Sequence, residues 1–444
     1  MLLGAAGLMM MDSTSESLTF AKTMRTLRKS RCGLFLGLLV LLSAPSAFSY
    51  SVLAHEAIID SAWDTSIKGL LLKRFPQATP EQLVEAHAYA YGGSIIQDMG
   101  YYPFGSKLFT DLLHYVRSGD FVVNLIRESQ DLDEYAFSLG ALAHYAADNT
   151  GHPLATNPGV PLLYPKLRVE FGNRVTYADD ARSHIKTEFA FDVLQVAKGH
   201  YASNSYHEFI GFKVAKKALE RAFLETYGVK MGDVFNNVDL SIGSYRRSVS
   251  SIIPAMTRVA WDMKKDEIMK DAPGTTRQKF LYNISQSSYQ KDWGTEYHKP
   301  GFRSKFMAVL LKVVPRIGPF RTLRFETPTP EVEKLFMASF NKTLDRYREL
   351  LSEVRAGRLQ LPNENLDVGE APVAGKYRLS DQTYARLLDK LEGHYSEIPP
   401  DLQVNILVFY GDLSAPISTK TDAAAWAKVV KQLGELKIVN AGGL

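Results

Sequence analysis

The chain is poor in cysteine. Cys32 is the only one, so no disulfide can form within one copy, and it precedes the N-terminal apolar run, leaving no lipid-accepting cysteine at a cleavage point. Apolar length is also short: the run Gly33 to Leu42 is too brief to span a bilayer. Alternating β-branched residues are scarce between Tyr50 and about Lys270, which argues against a sheet. Excess charge is missing from the body of the chain. The formal net charge is +4, but Lys22, Arg25, Arg28, Lys29 and Arg31 against Asp12 and Glu16 place +3 of it in residues 1–49. A near-neutral remainder lacks the broad basic surface that sequence-independent nucleic-acid binding needs, so nucleic acid is not an expected partner. No internal repeat and no low-complexity tract interrupts the 444 residues.

What is present is ordinary globular composition, 45% hydrophobic and 23% charged, with ample length for a large core or two domains. Basic residues before Gly33–Leu42 and the small-residue stretch Ala47-Phe-Ser49 after it read as a secretory signal; the other reading is a buried apolar helix. Residues 1–49 are therefore expected to be an N-terminal extension and signal peptide, with a conventional signal starting at Met24, and the protein is expected to be secreted or periplasmic. Cleavage after Ser49 would leave a free amine on Tyr50, five residues before His55.

From Tyr50 onward the apolar residues recur at helical spacing, which predicts an all-α fold. Helices are expected over about 54–75, 79–91, 104–116, 132–148, 180–199, 206–227 and 242–269, with Pro80 in a first turn and Gly92-Gly93 and Gly119 as punctuation. Gly151 and Pro153 are expected to end the helix that starts at Leu132. Residues 50–270 thus read as one helical domain and 271–444 as a partly helical C-terminal region of unknown role. Within the latter, 274–301 is rich in Gly, Ser, Gln, Tyr and Lys. Phe306 to Pro319 is a cationic apolar run that reads either as a membrane-surface contact or as a buried helix. Helices return over about 328–355, 379–391 and 421–436, and 361–375 reads as a linker.

Ten histidines are present, and two have a carboxylate four residues on: His144 with Asp148, and His184 with Glu188. Each pair shares a helical face and can offer two ligands to one metal ion, or can form a surface contact. The stretch Ala141-Leu-Ala-His-Tyr-Ala-Ala-Asp148 is small and apolar, so its aspartate would be desolvated unless a partner or cation compensates it. His152 follows one turn later. His55 and His114 also sit in apolar stretches, where a hydrogen-bonded core histidine is the competing reading. Asp98 lies just after the glycine-broken helix, where a rigid turn can hold a ligand. Tyr101, Tyr102 and Phe104 either line a cleft or pack internally.

The ordered set Tyr50, His55, Asp98, His114, His144, Asp148, His152, His184 and Glu188 resembles the zinc-dependent phospholipase C family. Relatives of that family include single-strand zinc nucleases and the N-terminal part of glycosylphosphatidylinositol-specific phospholipase D. The resemblance covers roughly residues 50–200 and implies an all-α fold with up to three zinc ions in a cleft. It implies that Tyr50 (through its amine and carbonyl) and His55 hold one ion, bridged by Asp148 to a second held by Asp98, His114 and His144. His152, His184 and Glu188 would hold the third. Two features depart from the pattern: tyrosine stands where phospholipases and nucleases usually begin with tryptophan, and His152 follows Asp148 by four residues instead of six, as in the phospholipase D branch.

The resemblance implies phosphodiester hydrolysis by a zinc-activated water, with Asp98 as both ligand and catalytic residue. Asp179 and Asp180 read either as acceptors from ligand imidazoles or as helix caps. A phospholipid or another phosphodiester is the expected substrate. A nuclease of the same fold and a non-catalytic secreted metal-binding protein are the alternatives.

Overall fold

The structure, a computed structural model, describes residues 52–198, 212–249 and 325–442, with Asp266, Met269 and Lys270 as isolated positions. The fold is all-α: among the described residues there is no strand, only an isolated bridge between Asn365 and Glu370. The helices are α1 Val52–Ala62, α2 Lys68–Arg74, α3 Pro80–Gly93, α4 Lys107–Tyr115, α5 Ser118–Glu128, α6 Leu132–Gly151, α7 Asn157–Leu163 and α8 Pro165–Phe171. They continue as α9 Tyr177–Lys198, α10 Lys216–Tyr227, α11 Met231–Val234, α12 Val238–Arg247, α13 Pro330–Arg355, α14 Arg378–Leu391, α15 Pro400–Phe409 and α16 Ala423–Gly442. No described helix is long and apolar enough to cross a membrane. The N-terminal segment that reads as a signal, Tyr50 and the Phe306–Pro319 run lie outside the described residues.

Helix starts follow local chemistry. Thr79 and Gln82 form a reciprocal capping box at the head of α3, with Pro80 supplying a preset φ where no N–H is needed. Asp131 caps α6 by accepting from the Glu134 amide at 2.8 Å. The helix expected from Phe104 begins only at Lys107, because Phe104 is left-handed (φ 64°) and Ser106 takes the cap position. Helix α5 was not expected: Gly119 reads as a break, but its bare Cα faces the main chain of Leu361 and Pro362, where a Cβ would fall 2.6 and 2.4 Å from their oxygens.

Helices α3 and α6 form the central pair. Gly93 and Gly140 let them touch through main chain: a Cβ on Gly93 would lie 1.9 Å from the Phe137 oxygen, and one on Gly140 2.1 Å from that of Ala90. Glycine is therefore required at both positions by contact rather than by φ. Helix α6 ends at Gly151 as expected, but Gly151 and Pro153 do not break the helical path of the chain. The chain passes through a π turn, His152–Thr156, directly into α7. Proline is tolerated at the start of that turn because its missing N–H falls where the hydrogen-bond register is already shifted.

The C-terminal helices share this core. One hydrophobic cluster runs from Val52 to Leu436, and α13 lies along α6, where the Tyr347 hydroxyl donates to the Leu139 carbonyl at 2.8 Å. Residues 361–375, which read as a linker, are instead pinned into the structure. The Leu366 amide donates to the His114 carbonyl at 3.0 Å, Ser118 Oγ to the Glu364 carbonyl at 2.6 Å, and the Tyr145 hydroxyl to the Pro362 carbonyl at 2.8 Å. Asn365, Leu366 and Asp367 are buried. Polar turn residues disguised a segment whose apolar side chains, Leu361 and Leu366, anchor it.

Candidate metal centre

Five elements converge at the end of the α3–α6 pair. Helix α1 brings His55, the 3-10 turn Ile96–Tyr101 brings Asp98, α4 brings His114, α6 with its π turn brings His144, Asp148 and His152, and α9 brings His184 and Glu188. All eight residues are buried, none more than 2% exposed. Tyr50 is outside the described residues.

Asp148 is at the centre, and its two oxygens face different imidazoles. Oδ2 lies 3.0 Å from His144 Nε2 and 3.3 Å from His114 Nε2, whereas Oδ1 lies 3.5 Å from His55 Nε2 and 3.9 Å from His152 Nε2. Asp98 Oδ1 closes one side at 3.4 Å from His114 Nε2. The His55 and His144 rings stack, centroids 4.5 Å apart and 7° from parallel. Donor atoms of His114, His144 and Asp148, and separately of His55, Asp98 and His144, all come within 4.8 Å of one another. The second set associates His55 with Asp98 and His144, a closer grouping than the resemblance implies. On the far side, Glu188 Oε1 sits 3.2 Å from His152 Nε2 and 3.0 Å from His184 Nδ1.

Each of the four rings His114, His144, His152 and His184 is steered by a contact on the nitrogen that faces away from the cluster. His144 Nδ1 is 2.9 Å from the Ser94 carbonyl and His114 Nδ1 2.9 Å from that of Thr110. His184 Nε2 is 3.0 Å from Asn157 Oδ1, and His152 Nδ1 is 3.2 Å from Asp367 Oδ1. Among the described residues, the inward atoms His114 Nε2, His144 Nε2, His184 Nδ1, Asp98 Oδ1 and both Glu188 oxygens face one another without a hydrogen bond of good geometry. Buried polar atoms without partners are costly and rare. Imidazole nitrogens mixed with carboxylate oxygens are the donor set that zinc takes, so the residues fit that ion.

The electrostatics are those of a site that holds protons where a cation belongs. Burial alone would depress the His114 imidazole, but the Asp148 and Asp98 carboxylates beside it raise it to about 10. Burial would raise Asp148, yet the surrounding histidines, His144 first, hold it well below the usual carboxylate range. His55 is pushed down by burial and then by His144, so it is neutral and ready to ligate. Burial raises the Asp98 carboxyl.

Aromatic rings cover one side. Tyr101 lies 6.4 Å from the His114 ring and 5.8 Å from Tyr177, which meets His184 edge-on at 5.8 Å. Tyr177 is half-buried and so reaches the surface. Of the three aromatics singled out in the sequence, only Tyr101 faces the ligands; Tyr102 packs on Tyr245, and Phe104 is exposed. Asp179 and Asp180 are caps: Asp179 accepts from the Thr176 amide and hydroxyl, and Asp180 from the Ser183 amide.

Residues 54–237 match the family model described as zinc dependent phospholipase C. This region belongs to the zinc-dependent phospholipase C family. No curated protein and no solved structure matches the chain. All eight described candidate ligands lie within the family region, whereas Asp367 lies beyond it. Sequence reasoning missed Asp367, Asn157 and the Ser94 and Thr110 carbonyls. Main-chain acceptors carry no residue signal. The only hint of Asp367 was an apolar residue on either side of it, Leu366 and Val368, within a polar stretch.

Proposed function

We propose that the protein is a secreted, zinc-dependent phosphodiester hydrolase of phospholipase C type, binding up to three zinc ions. The observation that carries this reading is the division of the Asp148 carboxylate between two sets of imidazoles, an arrangement suited to bridging two cations. Zinc at these positions would offset phosphoryl charge and acidify a water from about 15.7 towards about 7. The chain's own residues do the rest. His144 and His114, fixed by main-chain carbonyls, and Asp98 define one ion position; His55 and the Tyr50 amine define its neighbour. Asp98, whose carboxyl is raised by burial, is placed to accept the proton of the attacking water. His152, His184 and Glu188 hold the position that stabilises the leaving oxygen. Tyr101 and Tyr177 would shield the reacting groups from bulk water on the side they cover.

Secretion follows from the basic, apolar and small-residue succession of residues 22–49, and it serves the chemistry, because only cleavage frees the Tyr50 amine. A phospholipid is the favoured substrate, approached by peripheral contact with a membrane surface. The family match supports this choice, and the near-neutral body disfavours a polyanion. The test compares hydrolysis of a chromogenic phosphocholine diester and of single-stranded DNA by the zinc-loaded chain. Hydrolysis of the phosphocholine ester alone is expected. Cleavage of DNA alone would make the protein a nuclease, and no turnover of either would make it a metal-binding protein without this activity.

A further inference from the structure

Asp367 stands 215 positions after His152 in the chain, yet the two meet in the buried centre. Its Oδ1 faces His152 Nδ1 at 3.2 Å, and its Oδ2 accepts from the hydroxyls of Tyr115, at 2.9 Å, and Tyr377. Its main-chain carbonyl accepts from Asn157 Nδ2 at 2.7 Å, and Asn157 Oδ1 in turn faces His184 Nε2 at 3.0 Å. The carboxylate is thus fully engaged by protein donors and turned away from the cluster, which sets it apart from the ligand carboxylates Asp98 and Glu188. The loop that carries it is held in register by the Asn365 side chain, whose Oδ1 accepts from the Asp367 amide at 3.0 Å. It is also seated tightly on the end of α6: a Cβ on Gly369 would come 3.0 Å from the Asn149 carbonyl and 3.1 Å from Pro153.

We propose that Asp367 is the positioning residue of His152, and that the 361–375 loop thereby makes the C-terminal region a working part of the metal centre. An imidazole donating from Nδ1 to Asp367 has its lone pair on Nε2, the atom 3.2 Å from Glu188 Oε1. A carboxylate in this place fixes both tautomer and ring plane and makes the ligand nitrogen more basic. Tyr115 and Tyr377 hold the carboxylate as it holds the ring, while Asn157 couples the same loop to His184. This explains how His152 can serve at a spacing of four from Asp148: the α6 face and its π turn bring the ring near, and a distant loop orients it. The inference rests on the assignment of a zinc position to His152, His184 and Glu188.

The test is zinc titration of the metal-free full chain, with and without Asp367→Asn, a substitution that keeps the side-chain shape. Asp367→Asn should weaken one zinc site by about 10- to 100-fold and leave the others unchanged. In a His152→Ala background it should weaken binding no further, a non-additivity that a purely structural role would not produce. The visible absorption of the Co2+-loaded chain should also shift. If Asp367→Asn fails to fold, Tyr377→Phe is measured instead, and a smaller loss at the same site is expected. Unchanged zinc affinity and Co2+ spectrum in a variant that folds would overturn the proposal while leaving the zinc hydrolase reading intact. A full chain that takes up no zinc would overturn both.

Discussion

The two halves of the centre are built in different ways. Around Asp148, His144 and His114 are steered by the carbonyls of Ser94 and Thr110, so the geometry comes from helices packed main chain to main chain. Around Glu188, His152 and His184 are steered by side chains, Asp367 and Asn157, and one of these arrives from a loop beyond the family region. A scaffold of packed helices is hard to alter without disturbing the fold. A side-chain support can be changed one residue at a time.

That contrast can be broken from the helix side with the larger effect. Gly140→Ala places a Cβ 2.1 Å from the Ala90 oxygen. The gain in helix propensity, about 1 kcal/mol, is outweighed by overpacking of about 3 kcal/mol, so thermal unfolding should shift down and zinc should be lost first from the Asp98, His114 and His144 side. Gly434→Ala, also helical but with nothing within 4 Å of the added Cβ, should be neutral or slightly stabilising. Equal behaviour of the two variants would show that the α3–α6 contact does not position His144.

The smaller effect is in pH. His114, raised to about 10, keeps its proton at neutral pH in the metal-free protein. Its contribution to metal-free stability is full below the unfolded value near 6.5 and is lost as pH rises through about 10. Zinc must displace this proton, so uptake at pH 7 should release it, and apparent affinity should rise with pH towards about 10. Calorimetry in buffers of different ionisation enthalpy measures the release; a binding heat independent of buffer would contradict it.

The same division decides how much could be read from the sequence. His144 and Asp148 are spaced by four on one helix, and His184 and Glu188 on another, so helical periodicity alone paired them, with His152 read just past the end of the first helix. The family resemblance then gathered His55, Asp98 and His114 around them. The end of α6 at Gly151 was legible, but the path beyond it was not, because Gly151 and Pro153 are stop signals in an ordinary helix, whereas here a π turn absorbs the proline and leads into α7. Asp367 was not legible because its role depends on a contact 215 residues distant, carried by a loop whose Asn, Glu and Asp content looks like solvent-exposed chain. Helix–helix approach was equally hidden: Gly93 read as punctuation and Gly140 drew no reading until each was seen against its neighbour's main chain.

The central claim is that Asp148 bridges two cations. Zinc content by elemental analysis, on the chain prepared to begin at Tyr50 and on its Asp148→Asn variant, tests it most directly. The account predicts three ions for the unsubstituted chain and a loss of one or two in the variant, with the position at His152, His184 and Glu188 still filled. Equal zinc content in the two proteins, or a chain that holds no zinc, would contradict it.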